Sequence, residues 1–140
     1  MSGLSSDDRA PGLREARDAL AGGRTSAFTL TLHALNVAYA SQRAVNAFAT
    51  IARDKALAAA AESDRKYTMG RARPLEGLAI GVKDLIDTQG IETCYGSAAY
   101  IGNLPSADAA IVRSLVEQGA IIIGKTTTHE FAWGVTTASH

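Results

Sequence analysis

The sequence predicts an α/β fold, a mixed sheet flanked by helices, and three features carry that expectation. Residues 78–82 and 120–123 are short apolar runs with the length of buried strands. Around them lie segments whose apolar residues recur three or four apart, or that are rich in alanine, as helices require. Glycine, proline and aspartate punctuate the boundaries between the two kinds of segment.

In chain order, residues 1–12 mix Ser, Asp, Gly and Pro without periodicity and are expected to form a flexible lead, with one domain over 13–140. A Thr/Ser start at Thr25 leads into Phe28, Leu32, Leu35 and Tyr39, which predicts a helix to about Arg43. Residues 46–51 alternate over the length of a short strand. Residues 53–67 are Ala-rich and read as helix, ended by Gly70. Pro74 and Gly77 turn the chain into the strand 78–82, and Asp87-Thr88-Gln89-Gly90 is a second turn. Residues 91–95 fit either a short strand or an extended loop. Asp108 is expected to cap a helix over 109–118 that stops at Gly119, followed by the strand 120–123 and a short Thr-capped helix over 128–133.

Composition narrows the function classes. The 14 basic and 14 acidic residues cancel, so no bulk positive field supports binding to nucleic acid or an anionic membrane. Charges interrupt every long apolar segment, and no membrane span is expected. A single cysteine, Cys94, makes neither an internal disulfide nor a cysteine-based zinc site, which points to a reducing cytoplasm. The polar start of the chain lacks the apolar stretch of a secretory signal.

Several motifs have a plain structural reading beside a chemical one. Gly119 to Thr126 spells a P-loop, yet the residues between its glycines are strand-like, and they cannot both extend in a sheet and wrap a phosphate. It is therefore read as helix stop, strand and strand exit. Cys94 with His33 or His129 would make a thiol–imidazole pair only if they met in space, and the plain reading is a small buried cysteine beside a Gly-Ser turn. Asp84 and Asp87 are read as partners for loop amides, with Asp84 also placed to orient its neighbour Lys83. Lys83 emerges at the C-terminal end of an apolar strand, the end of α/β sheets where ligands bind.

The segment Gly77 to Asp84, then Gly90, Gly96-Ser97, Gly119-Ala120, Gly124-Lys125-Thr126, Glu130-Phe131-Ala132 and Gly134, resembles the N-terminal part of the amidase signature family. The resemblance runs in order from Pro74 to about Thr137. It implies that this chain is the first part of a larger sheet domain, and that Lys83 is the catalytic lysine of a Ser-Ser-Lys triad. A serine hydroxyl needs a base to become a nucleophile, and a lysine serves only when it is neutral, a state that desolvation favours. The family's glycine- and serine-rich loop, which supplies both serines and the oxyanion-stabilising amides, would fall beyond His140. Ser97 and Ser139 are accordingly not assigned as nucleophiles.

The implied activity is hydrolysis of a small-molecule amide through an acyl-serine intermediate, without metal or organic cofactor, by a cytoplasmic enzyme. The 140 residues alone are expected to be inactive. The glutaminase subunit of a tRNA-dependent amidotransferase uses the same triad and stands as an alternative. A noncatalytic interaction module is another, because an uncovered strand edge and apolar surface would favour association with a partner or with itself.

Overall fold

The computed structural model describes residues 11–134, so most of the expected lead lies outside the described residues. The order is α1 (Leu13–Ala21), α2 (Ala27–Val45), β1 (Phe48–Ile51), α3 (Arg53–Thr68), β2 (Ala79–Lys83), α4 (Ala110–Glu117) and β3 (Ile121–Thr126). Single 3₁₀ turns lie at Ala98–Tyr100 and Glu130–Ala132. The three strands form one mixed sheet in the order β1-β3-β2, with β1 antiparallel and β2 parallel to β3. The α/β expectation with a mixed sheet is thereby met.

Spacing explains the helices. In α2 the buried residues Ala27, Thr31, Leu35 and Ala38 fall three or four apart and form one face, as do Ala56, Ala60 and Ser63 in α3. The small residues let the two helices approach closely over one side of the sheet, where Leu35, Ile121 and Ile123 share a core. Asp64 of α3 accepts hydrogen bonds from the Ala27 and Phe28 amides at 2.6 and 3.1 Å, and Ser26 accepts from Thr29, so the start of α2 is satisfied from two directions. Val82, Ile91, Val112 and Ile122 make a second cluster around the start of α4.

β3 is the central strand, and glycine opens it to both neighbours. A Cβ on Gly124 would run into the Thr50 carbonyl oxygen, and a Cβ on Gly81 would lie 2.9 Å from the Thr126 side chain. Both pairings shift register near these glycines: Ile80 faces Ile122, whereas Gly81 faces Gly124. The extra residue in β3 is Ile123, and a one-residue bulge reverses which face later side chains occupy. Lys125 consequently follows Ile122 to the α4 side of the sheet.

The stripe expected to pack α2 is corrected: Phe28 and Tyr39 are exposed, and the inner face is Ala27, Thr31, Leu35 and Ala38, whose smaller side chains allow close approach. Four further local expectations are corrected. Helix α1 has no counterpart in the sequence reading, because only Ala16 and Leu20 are buried among its charges and Leu13 is exposed. Strand β3 runs to Thr126, three residues past the predicted apolar run. Asp108 does not cap α4; its carboxylate accepts from the Gln89 amide at 2.6 Å and ties the preceding loop instead. No side chain caps the last 3₁₀ turn, whose preceding residue is His129, and the Thr128 hydroxyl is buried without a hydrogen-bond partner. Residues 91–95 are irregular, the loop option of the two predicted.

Candidate active site

Lys83 ends β2, paired in register with Thr126, and its side chain is exposed. The residue before it, Val82, is buried, so strand alternation turns Lys83 to the opposite face. The described residues do not supply the closed surroundings that a neutral lysine requires. The backbone around it is nonetheless anchored: Asp84 N–H donates to Thr126 O at 2.9 Å, and Ile86 N–H donates to Lys83 O at 3.0 Å.

The buried amine belongs to Lys125, which is 0% exposed. Its Nζ donates to Ile86 O at 2.7 Å and to Thr93 Oγ1 at 2.6 Å, and lies 3.7 Å from Asp84 Oδ1. Burial pushes its pKa below the ordinary lysine value, with the carboxylates of Asp84 and Asp87 acting in the opposite direction. Sequence reasoning treats Lys125 as a strand exit, because the bulge that carries it inward depends on pairing between distant strands. A buried lysine in an extended strand also removes the P-loop reading, since no flexible turn precedes it.

Asp84 is fully buried and serves loop amides as expected: its carboxylate accepts from Cys94 N–H at 3.2 Å and Gly96 N–H at 3.4 Å. Its ionic partner is Lys125, however, and not Lys83. Asp87 accepts from the Tyr95 hydroxyl at 2.6 Å. Gly96 and Ser97 form the expected turn, with Ser97 N–H donating to Cys94 O at 2.9 Å. Gly96 has φ +70, and a Cβ there would lie 2.7 Å from Thr128 O, so this turn packs directly on the segment leaving β3.

Asp84, Cys94, Gly96, Ser97 and Thr128 line one side of a cavity of about 370 Å³; Gln42, Phe48 and Thr50 line the other. Among the described residues, neither a histidine nor Lys83 lines it. Burial, followed by the charges of Glu92 and Asp84, pushes the Cys94 thiol up, which opposes thiolate formation and favours the plain reading of Cys94. Backbone strain gathers at the same end of the sheet: Tyr95, Phe131 and Ala132 all have positive φ, and Phe131 N–H donates to Tyr95 O at 2.8 Å. The Tyr100 ring makes edge-to-face contacts with Tyr95 and Phe131. Among the described residues no cluster of three His, Cys, Asp or Glu is placed to hold a metal ion, and no helix is long and apolar enough to cross a membrane. Ser139 lies outside the described residues.

A family model described as Amidase matches residues 29–140. The chain is 43% identical over 122 residues to the glutamyl-tRNA(Gln) amidotransferase A subunit of Azorhizobium caulinodans, covering 87% of this chain and 24% of that one. Among solved structures, native peptide amidase from Stenotrophomonas maltophilia superposes with a TM-score of 0.80 at 33% identity, covering 85% of this chain and 25% of that one. A fatty acid amide hydrolase structure has a TM-score of 0.83 at 21% identity over 98% of this chain and 25% of its own length, a likeness of fold. The chain thus spans about a quarter of the length of the curated relatives it matches.

Proposed function

The chain belongs to the amidase signature family, and from that membership we propose that it is the N-terminal part of an enzyme that hydrolyses carboxylic amides through an acyl-serine intermediate. The observation that carries the proposal is the match over residues 29–140, which includes Lys83 and its flanking Gly77–Asp84 motif. Lys83 is assigned as the proton acceptor of a Ser-Ser-Lys triad. Its position at the C-terminal end of a strand beside the central β3 supports that assignment, as does the anchored backbone on either side of it.

In the proposed reaction the lysine amine, once neutral, takes a proton relayed from the nucleophilic serine through a bridging serine. The serine oxygen bonds to the amide carbon, the amine leaves with a proton, and water then cleaves the acyl-serine. On this reading both serines lie in the three quarters of the relatives' length that this chain does not span. That remainder would also desolvate Lys83 and cover exposed apolar side chains such as Ile101, which lines the cavity, and Phe131, whose backbone bonds to Tyr95.

The test is an amide-hydrolysis assay on the continuous polypeptide and on residues 1–140 alone. Turnover by the former that is abolished in Lys83→Ala, with silence in the latter, is expected. Turnover that survives Lys83→Ala removes the assignment.

The identity to glutamyl-tRNA(Gln) amidotransferases favours a second reading, in which the same chemistry releases ammonia from glutamine within a complex. Hydrolysis of simple amides without partner subunits supports the first reading. Turnover confined to glutamine in the presence of partner subunits supports the second.

A further inference from the structure

We propose that Lys125 is a positioning residue, which acts through Asp84 to hold the Lys83-bearing end of β2 and the Gly96-Ser97 turn in one fixed arrangement. The inference rests on the reading of Lys83 as proton acceptor and adds a second lysine to that site with a different task.

An ammonium group has three N–H donors. Lys125 faces three acceptors, the Ile86 carbonyl and the Thr93 hydroxyl at hydrogen-bond distance and the Asp84 carboxylate at ion-pair distance. Thr93 in turn donates its own proton to Ile91 O at 3.1 Å. Asp84 receives the amides of Cys94 and Gly96. One amine rooted in the central strand therefore joins the residues that follow Lys83 to the loop 91–97.

Such a clasp is poorly explained as a device for stability. Taking two charges out of water costs most of what their attraction returns, and apolar replacements of buried ion pairs are often neutral or stabilising. What the charged version supplies is direction: hydrogen bonds at fixed angles hold a loop in one orientation, whereas an apolar contact tolerates sliding. The position matters because the residue linked to Lys125 is the immediate neighbour of Lys83, and proton transfer is sensitive to displacement.

The test uses the continuous enzyme for kinetics and the 140-residue chain for hydrogen exchange, with Lys125→Met as the main variant. In the enzyme, kcat is expected to fall on the order of 100-fold with KM little changed, the cost of a displacement of about 1 Å. In the chain, amide exchange at Cys94 and Gly96 is expected to rise about 10-fold or more while that of Ile121 to Ile123 stays unchanged, a local opening. Thr93→Val, which keeps the side-chain shape and removes one acceptor, carries the same comparison with a smaller effect should Lys125→Met fail to fold. Unchanged exchange at Cys94 and Gly96, or an unchanged kcat per folded molecule, overturns the inference. Lys83→Ala separates the two readings: if turnover survives it, the assignment of Lys83 fails, and the exchange measurement still decides whether Lys125 holds the turn.

Discussion

Lys83 and Lys125 lie one register step apart on adjacent parallel strands, since Val82 pairs with Lys125 and Lys83 with Thr126, yet Lys125 is fully buried and Lys83 is exposed. The two amines therefore meet different solvents although only a short stretch of sheet separates their backbones. Acetylation of the folded chain, followed by peptide mass analysis, reads this directly. Lys83 is expected to react at a rate close to that of the exposed Lys55, whereas Lys125 reacts slower by on the order of 100-fold, because its modification waits for local opening. Equal labelling of Lys55, Lys83 and Lys125 would show that the strand end is open.

Glu76 is a second buried charge, held by Arg73 of the segment before β2 and by Ser63 of α3. Arg73 donates to it at 2.6 and 3.0 Å, and Ser63 of α3 donates at 2.6 Å. Burial by itself would raise the carboxyl pKa, but these hydrogen bonds outweigh it and hold the group below the ordinary value of 4.5. Its folded-state pKa is thus depressed. The unfolded chain takes up the proton first as pH falls, so the stabilisation is fully present above 4.5 and is lost as pH drops through the folded value. Urea unfolding between about pH 6 and pH 3 should show this loss in the wild type and much less of it in Glu76→Gln. At neutral pH, Arg73→Ala is expected to cost about 2–3 kcal/mol, below the usual figure for breaking a buried pair because the guanidinium is partly solvated.

Glycines offer a paired comparison near the site. Gly96 and Gly102 both have positive φ, at +70 and +86, so alanine carries a similar backbone penalty at each, about 1–2 kcal/mol. Space distinguishes them. A Cβ at Gly96 would lie 2.7 Å from Thr128 O and 2.9 Å from His129 O, both backbone atoms, whereas nothing lies within 4 Å at Gly102. Gly96→Ala is therefore expected to cost about 1–3 kcal/mol more than Gly102→Ala, the usual range for overpacking. Equal midpoints in urea for the two variants would mean that the turn does not press on the segment after β3.

Local signals make most elements legible. The alanine content of α3 signals helix and the Ile121–Ile123 run signals a buried strand, and the structure agrees. In α2 the helix itself is legible but its inner face is not, because the stripe of large apolar residues leaves Phe28 and Tyr39 exposed while small Ala27, Thr31 and Ala38 pack inward beside Leu35. Legibility fails wherever the outcome depends on a partner distant in sequence. Asp108 has the form of a helix cap, but the Gln89 amide takes it, 19 residues away. Lys125 has the form of a solvated strand exit until the register shift at Ile80/Gly81 turns it inward. Lys83 is the reverse case: the motif around it is readable, while the surroundings a neutral lysine needs are not built by the described residues.

The burial of Lys125 has a consequence at alkaline pH. Desolvation lowers its pKa in the folded chain below the ordinary 10.5, so in the window beneath 10.5 the unfolded chain holds a proton that the folded chain has released. Stability then rises with pH across that window, because the cost of keeping the amine charged in the interior is progressively removed. The sign is the same as for Glu76 in its acidic window, since in both cases the unfolded chain binds more protons than the folded one. Cys94 and Tyr95 also titrate at high pH, with values raised by burial and by the hydrogen bond to Asp87 respectively, so the comparison must be a difference. Lys125→Met removes this group, and because it also loosens the loop that carries Cys94 and Tyr95, both proteins compared carry Cys94→Ala and Tyr95→Phe, so that neither titrates in the difference. Urea unfolding of both proteins at stepped pH from neutrality towards about 10 should show the protein that keeps Lys125 gaining on the one with Lys125→Met as pH rises. A constant difference would mean that the amine keeps its proton throughout, with Asp84 and Asp87 offsetting burial in full.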